Sequence, residues 1–155
     1  MRKLLLVVLV LASAGARSYC GDGNESLKSL VSASDLVVAG TVGRGRGGFT
    51  TSTPVVRYPF PFKVKEVLKG DSTLKGQDIL TEVLRCERTN NDRLPYFENG
   101  KDCILFLKHT TGGYVENSGG NVRTQQWTSV DLWFSVQPPS QELEYAVKRL
   151  SGNLE

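Results

Sequence analysis

Three cysteines and one histidine are the residues of this chain best suited to covalent or metal chemistry. Cys20, Cys86 and Cys103 could supply a thiolate, a disulfide or metal ligands, and His109 is the single imidazole available as a base. His109 follows Cys103 by six residues, a span of about 20 Å along a straight strand at about 3.3 Å per residue. The two side chains therefore cannot form a nucleophile–base pair on one strand, and no motif supports a thiol enzyme built from Cys86 and His109.

A zinc site or another common catalytic centre is also not expected. The cysteines and His109 match a Cys₃His set in number, but no two cysteines stand in the close C-x₂-C pairs typical of such sites. The sequence contains no G-x-S-x-G, no H-E-x-x-H and no Walker loop. Its acidic residues stand singly among predicted turns, which is typical of a solvated surface: Glu82, Glu87, Asp92, Glu98 and Asp102. We expect no catalytic residue, no metal and no cofactor, and hence a protein that is not an enzyme.

A disulfide is the simplest role for two of the cysteines. Cys86 and Cys103 each continue the apolar face of a predicted strand. If those strands are neighbours, a bridge would close a loop of about 17 residues and contribute roughly 3 kcal/mol in the chain-entropy estimate. Three is an odd number, so at most one internal bridge forms and one thiol remains.

Two arginines in a glycine-rich loop are the other residues with binding chemistry. Arg44, Arg46 and Phe49 lie in the segment Gly43-Arg-Gly-Arg-Gly-Gly-Phe49. Flexible arginines beside an aromatic can hold phosphates and stack on bases. The aromatics at 58, 60 and 62 alternate, which predicts either a stacking platform or a barrel interior. We interpret the loop as a connection with solvated arginines and the aromatics as core, with ligand contact as the alternative.

The first sixteen residues predict an export signal. Arg2 and Lys3 form a positive region, Leu4–Leu11 is apolar, and both Ala12-Ser13-Ala14 and Ala14-Gly15-Ala16 fit a cleavage site. The apolar run is roughly half of the ~20 residues that cross a bilayer as a helix. We therefore expect a secreted or periplasmic protein with no membrane span after cleavage, and a single domain over residues 17–155.

The charge of the mature chain is close to neutral. The whole sequence has a formal net charge of +3, with 19 basic and 16 acidic residues, and Arg2 and Lys3 leave with the signal, so the mature net charge is +1. Such a surface gives little long-range attraction to nucleic acid, which argues against nucleic acid as the main ligand.

The apolar pattern predicts a mostly β protein with a helix near each end. A short helix is predicted over 24–34, with Asn24 or Ser26 as N-cap, and a final helix after Ser140. The apolar stripe of the final helix is Leu143, Val147 and Leu150. Basic residues at 148 and 149 complement the helix dipole at its carboxyl end. Strands are predicted over 36–42, 58–68, 79–86, 103–108, 114–115 and 127–136. In 58–68 we expect the side chains at 58, 60, 62, 64 and 68 on one face, and an edge or bulge at the prolines 59 and 61.

Three of these segments, in this order, resemble a known superfamily. They are Ser26-Leu-Lys-Ser-Leu-Val31 with Ser34-Asp-Leu-Val-Val-Ala-Gly-Thr-Val42, Phe62-Lys-Val-Lys-Glu-Val-Leu-Lys-Gly-Asp71, and Phe97-Glu-Asn-Gly-Lys-Asp-Cys-Ile-Leu-Phe-Leu107. Over about residues 20–110 the chain resembles exported bacterial proteins with netrin-like or TIMP-like (metalloproteinase-inhibitor) domains. The resemblance implies an OB-fold: a five-stranded Greek-key barrel with flanking helices.

The resemblance also implies a function and a surface for it. It implies a non-enzymatic module that binds an extracellular or periplasmic protein, with Tyr19, Cys20 and Asp22 beside the 43–54 loop as the contact surface. It further implies a disulfide between Cys20 and either Cys86 or Cys103, as the alternative to the Cys86–Cys103 bridge. Inhibitors of this fold begin at a cysteine that chelates the protease zinc, whereas Cys20 follows the expected cleavage sites by several residues. Because of this departure, a metalloprotease inhibitor is an alternative and not the favoured function. A binder of oligosaccharide or single-stranded nucleic acid is a further alternative.

Overall fold

The computed structural model describes residues 26–45, 49–50, 55–86, 98–111, 115–118, 121–124, 126–130 and 134–153. The expected signal segment and the residues Tyr19, Cys20 and Asp22 lie outside these ranges. Within them, no helix has both the length and the apolar character needed to cross a membrane.

The described chain contains nine strands, two α-helices and one short 3₁₀ helix. In order they are α1 Leu27–Ala33, β1 Leu36–Val42, β2 Phe49–Thr50, β3 Val55–Lys69, a 3₁₀ helix Ser72–Leu74, β4 Asp78–Cys86, β5 Asp102–His109, β6 Val115–Ser118, β7 Asn121–Thr124, β8 Trp127–Ser129, β9 Val136–Gln137 and α2 Gln141–Ser151. Both helices and the four main predicted strands are confirmed. The long strand expected over 127–136 is instead two short strands, and the β6–β7 hairpin is longer than the strand expected at 114–115.

Five strands form a closed barrel in the order β1-β3-β4-β8-β5, and β5 pairs again with β1. Counted along the chain as strands one to five, this order is 1-2-3-5-4-1. The β4–β8 pair is parallel and the other four pairs around the ring are antiparallel. The predicted mostly β fold, an OB-like five-stranded barrel with a helix near each end, is confirmed.

The barrel interior is filled by alternate side chains of its strands. The buried members are Leu36, Val38, Val42, Phe60, Phe62, Val64, Ile79, Val83, Cys103, Leu105, Leu107 and Val136. The Phe60 and Phe62 rings meet edge to face with centroids 6.4 Å apart, an arrangement that aromatic pairs favour. These two aromatics are core residues and not an exposed platform, while Tyr58, two residues earlier, is only half-buried.

A second apolar cluster joins the outside of the barrel to the helices. It contains Leu30, Val31, Val37, Ala39, Leu68, Ile104, Phe106 and Val147. The prediction that Leu68 shares a face with the aromatics of β3 is wrong. Val64 pairs with Gly40 but Glu66 pairs with Ala39, so Lys65 is an extra residue in β3. Because one inserted residue reverses the alternation of a strand, Leu68 faces the helices while Val67 packs against the interior.

Both helices begin at the serines that the sequence indicated. Ser26 caps α1 and Ser140 caps α2, each accepting a hydrogen bond from a backbone N–H three residues on. In the predicted stripe of α2, Val147 is buried and Leu143 packs against the outer cluster, but Leu150 is 44% exposed. Leu150 is therefore not part of the buried face; it lies in the last turn of α2, which ends at Ser151 with Gly152 as its C-cap.

A carboxylate on the bulged part of β3 ties α2 to the barrel. Glu66 lies 2.6 Å from Lys75 Nζ and 3.5 Å from Lys148 Nζ of α2. The hydrogen bond from Lys75, with the charges of both lysines, lowers the pKa of Glu66. Since the lysine side chains are 61% and 31% exposed, this network contributes at most about 1 kcal/mol per pair.

Gly40 allows β1 to lie between two partner strands over a filled interior. A Cβ at this position would stand 2.0 Å from the Lys63 carbonyl oxygen and 2.7 Å from Phe62 Cε1. The backbone of β3 and the Phe62 ring therefore occupy space that any larger residue at position 40 would need.

We predict that Gly40→Ala lowers the free energy of unfolding by about 3 kcal/mol or more, because the added methyl group forces β1 away from β3. Chemical denaturation followed by circular dichroism measures the change. Gly152→Ala is the matched control: it has open space but a positive φ of 75°, and should cost only about 1 kcal/mol. Equal losses for the two variants would contradict the close approach at Gly40.

Candidate functional site

A cleft opens on the barrel where β1 ends and the β1–β3 connection begins. We call it the Arg44 cleft; its lining residues are Val42, Gly43, Arg44, Gly45, Tyr58, Pro59, Phe60 and Asn99. Its volume is about 410 Å³, within the range of small-ligand and side-chain pockets. The cleft combines an apolar and aromatic wall with one cationic group and one amide.

Backbone hydrogen bonds fix the floor and one rim of this cleft. Gly43 N–H donates to the Pro61 carbonyl at 2.8 Å, which extends the β1–β3 contact beyond the end of β1. Val42 N–H donates to the Lys101 carbonyl, and Gly100 N–H donates to the Val42 carbonyl at 2.8 Å. These bonds hold the turn that carries Asn99 against the end of β1.

The glycines on either side of Arg44 let the chain run directly over β3. A Cβ at Gly43 would stand 2.7 Å from the Pro61 carbonyl oxygen, and one at Gly45 would stand 2.7 Å from the Pro59 carbonyl oxygen. The loop can therefore lie flat on β3 only with glycine at both positions. This places the arginine between them over the aromatic wall of the cleft.

The guanidinium of Arg44 is available to a ligand. Arg44 is exposed, and none of the described carboxylates forms an ion pair with it. Several of those carboxylates are instead occupied elsewhere. Asp102, for example, accepts from Lys65 at 2.7 Å and from Thr41 at 2.6 Å, and these two bonds lower the pKa of its carboxyl group. Tyr58, which is half-buried and also interacts within the protein, supplies the apolar contact surface beside the charge, and the buried Phe60 lies behind it.

The structure brings together only part of the predicted binding surface. Arg44 lies in the cleft, next to the aromatics of β3 that were considered as ligand contacts. The side chains of Arg46 and Phe49 lie outside the described residues. Tyr19, Cys20 and Asp22, the contact residues that the family resemblance implied, also lie outside them. Asn99 was not anticipated, and its place in an Asn-Gly turn before β5 was the signal that could have indicated it.

The strands that carry Cys86 and Cys103 are not neighbours, so the condition for the expected disulfide is not met. β8 lies between β4 and β5. The backbone of Cys86 pairs with Val55, whereas Cys103 pairs with Gly40, which pairs with Val64. Val55 and Val64 are nine residues apart on β3, about 30 Å along the strand.

Cys103 is a free, buried thiol in the barrel interior. Burial, together with the negative charge of Asp102, raises the pKa of the Cys103 thiol to about 12. A thiolate is the reactive form of cysteine, so this residue is poorly suited to act as a nucleophile. Cys20 and the side chain of Cys86 lie outside the described residues.

Glu82 is buried, which contradicts its expected place on a solvated surface. It lies on β4, and its Oε1 accepts from Arg57 Nη1 at 2.8 Å and from Thr128 Oγ1 at 3.2 Å. The side chain of Arg57 is 42% exposed and that of Glu82 is 5% exposed. The pair links β3, β4 and β8 on the outer face of the barrel. A buried carboxylate with this partner set fits a structural role.

Comparison with known proteins gives no family assignment: neither the protein-family models nor the curated protein sequences include a match to this chain. Within the described ranges, no group of three or more His, Cys, Asp or Glu side chains could hold a metal ion.

We predict that Cys103 resists alkylation in the folded protein at pH 8 and reacts only after denaturation. Mass spectrometry of the tryptic peptide 102–108 distinguishes this cysteine from the other two. Rapid labelling of that peptide under native conditions would contradict the buried position.

The pH dependence of stability, compared between the native protein and a variant without the Cys103 thiol, tests the same buried environment. Folding raises the pKa of the Cys103 thiol from 9.0 to about 12, so the protonated thiol favours the folded state. That contribution is present below pH 9 and is lost as the pH rises toward 12. Native protein should therefore lose more stability over this interval than Cys103→Ala, measured by denaturation at each pH.

Proposed function

We propose that this chain is an exported, non-enzymatic binding module that recognises a protein partner through the Arg44 cleft. The observation that carries the proposal is a guanidinium without an internal carboxylate partner among the described residues, set beside an apolar wall. Export rests on the predicted signal over residues 1–16. Membership of the netrin-like or TIMP-like group stays a proposal based on the three sequence segments.

The chemistry of the cleft defines the segment that would fit. An arginine donates paired hydrogen bonds to a carboxylate in a planar, two-point arrangement. Tyr58, which is half-buried, offers a surface for an aromatic or branched aliphatic side chain next to that carboxylate. We therefore propose a partner segment with an acidic side chain or a free carboxyl terminus adjacent to an apolar residue.

The position of the cleft on the barrel supports a binding role. In OB barrels, ligands commonly contact the second and third strands and the loop after the first strand. The Arg44 cleft lies on that loop and on β3, the second barrel strand.

We predict that Arg44→Ala weakens binding of matching peptides roughly 10- to 100-fold, because a hydrogen bond to a charged group is worth about 1.5–3 kcal/mol. Peptides selected from a phage-displayed library on the purified protein serve as probes, and calorimetry measures Kd. The selected peptides should combine Asp, Glu or a free carboxyl terminus with an apolar neighbour.

Arg149→Ala is the matched control, since Arg149 is exposed on the last turn of α2 and should leave binding unchanged. Selected peptides that bind Arg44→Ala as tightly as the native protein would refute the proposal. Two further assays address the alternatives. Saturable binding of oligothymidylate that Arg44→Ala removes would favour a single-strand binder, and inhibition of a metalloprotease panel at micromolar concentration would favour an inhibitor.

A further inference from the structure

A second cleft lies at the other end of the barrel, beside Trp127. Its lining residues are Leu74, Gln77, Asp78, Ile79, Leu80, Gln126 and Trp127, and its volume is about 440 Å³. The cleft is bounded by the turn between β3 and β4 and by the start of β8. It shares no residue with the Arg44 cleft.

The tryptophan of this cleft is fixed in position. Trp127 is half-buried and packs against the interior cluster. Its ring meets His109 edge to face, with centroids 5.4 Å apart and an interplanar angle of 85°. Its backbone carbonyl accepts from Thr81 Oγ1 at 3.2 Å. The indole is therefore a rigid apolar surface at the edge of the cleft.

The glutamine of the β3–β4 turn is also held by local bonds, and the backbone of Asp78 after it pairs with Lys63 of β3. Gln77 Nε2 donates to the Thr73 carbonyl at 2.7 Å, and Val64 N–H donates to the Gln77 carbonyl at 2.9 Å. Among the described residues, no partner takes up the side-chain oxygen of Gln77 or the second of its two amide hydrogens, so both remain for a ligand. Asp78 lies 4.0 Å from Lys63 Nζ, beyond hydrogen-bond distance, so its carboxylate retains acceptor capacity.

Gln126 supplies the second amide of the cleft. Its backbone carbonyl accepts from Thr110 N–H at 2.8 Å, which fixes the chain immediately before Trp127. Its side chain is exposed and has no hydrogen-bond partner among the described residues. The cleft thus presents two primary amides and one carboxylate around an indole.

This set of groups matches a polyhydroxylated ligand. Each hydroxyl of such a ligand both donates and accepts, and an amide can donate to one hydroxyl while accepting from the next. A carboxylate can accept from two hydroxyls. The indole offers a flat apolar surface for the C–H face of a sugar ring. No lining residue is cationic and Asp78 is anionic, which disfavours phosphate, nucleic acid and sulfated glycans.

We infer that the Trp127 cleft binds a neutral saccharide, with the ring against Trp127 and its hydroxyls on Gln77, Asp78 and Gln126. The volume suits one or two sugar rings. Prior fixing of Trp127 and Gln77 reduces the entropy that binding must overcome. This function is separate from peptide recognition at the Arg44 cleft.

Tryptophan fluorescence gives a direct test. The chain has two tryptophans, so Trp133→Phe leaves Trp127 as the single reporter. Titration with a panel of neutral disaccharides (maltose, cellobiose, lactose and diacetylchitobiose) should produce a saturable change with at least one of them. The double variant Gln77→Ala, Gln126→Ala should raise the Kd roughly tenfold or more, because at least one hydrogen bond to the ligand is lost.

Gln141→Ala is the matched control, since Gln141 is an exposed glutamine on α2 and should leave the Kd unchanged. Arg44→Ala should also leave it unchanged, so failure here is distinct from failure of the proposed peptide function. If Trp133→Phe does not fold, the side-chain amide signals of Gln77 and Gln126 in the NMR spectrum of the native protein provide the same readout. No response to any of the disaccharides, an unchanged Kd in the double variant, or tighter binding of a sulfated disaccharide than of its neutral parent would overturn the inference.

Discussion

The double pairing of β1 is the constraint on which the rest of the structure depends. This strand hydrogen-bonds to β3 along one edge and to β5 along the other, so the sheet closes and neither edge of β1 is left open. Closure requires Gly40, because the Lys63 carbonyl and the Phe62 ring occupy the space above it. The same strand then separates two apolar clusters: Val38 points into the barrel and Val37 points toward the helices. Both clefts lie at the ends of this closed ring, where strands give way to loops.

The main elements of the fold could be predicted from local pattern. Continuous β-branched residues marked β1, alternation marked β3, and serine caps marked the starts of α1 and α2. Two features could not be read in this way. The inversion at Leu68 depends on Lys65 being an extra residue opposite β1, and only the pairing partner shows which residue is extra. The shortness of β8 and β9 depends on how far β5 extends beside them.

The candidate sites were predictable only in part, for a related reason. Arg44 was identified because an arginine between glycines suggests a binding residue. The position of Tyr58 beside it could not be predicted, because it depends on the register of β3 against β1. For Glu82 the sequence-based prediction was wrong. An isolated carboxylate in the sequence predicted a solvent-exposed side chain, yet the position of Glu82 on β4 places it between Arg57 and Thr128. The Trp127 cleft draws on segments about fifty residues apart, Gln77–Leu80 and Gln126–Trp127, that the parallel β4–β8 pairing brings together.

Cross-strand nuclear Overhauser effects from β1 test the closed barrel most directly. In the closed barrel we expect contacts from Gly40 to both Val64 of β3 and Cys103 of β5, and contacts from Val38 to Leu105. We also expect slow amide exchange throughout β1, since both of its edges are hydrogen-bonded. Contacts from β1 to β3 alone, with fast-exchanging amides on the other edge, would show an open sheet and contradict the account.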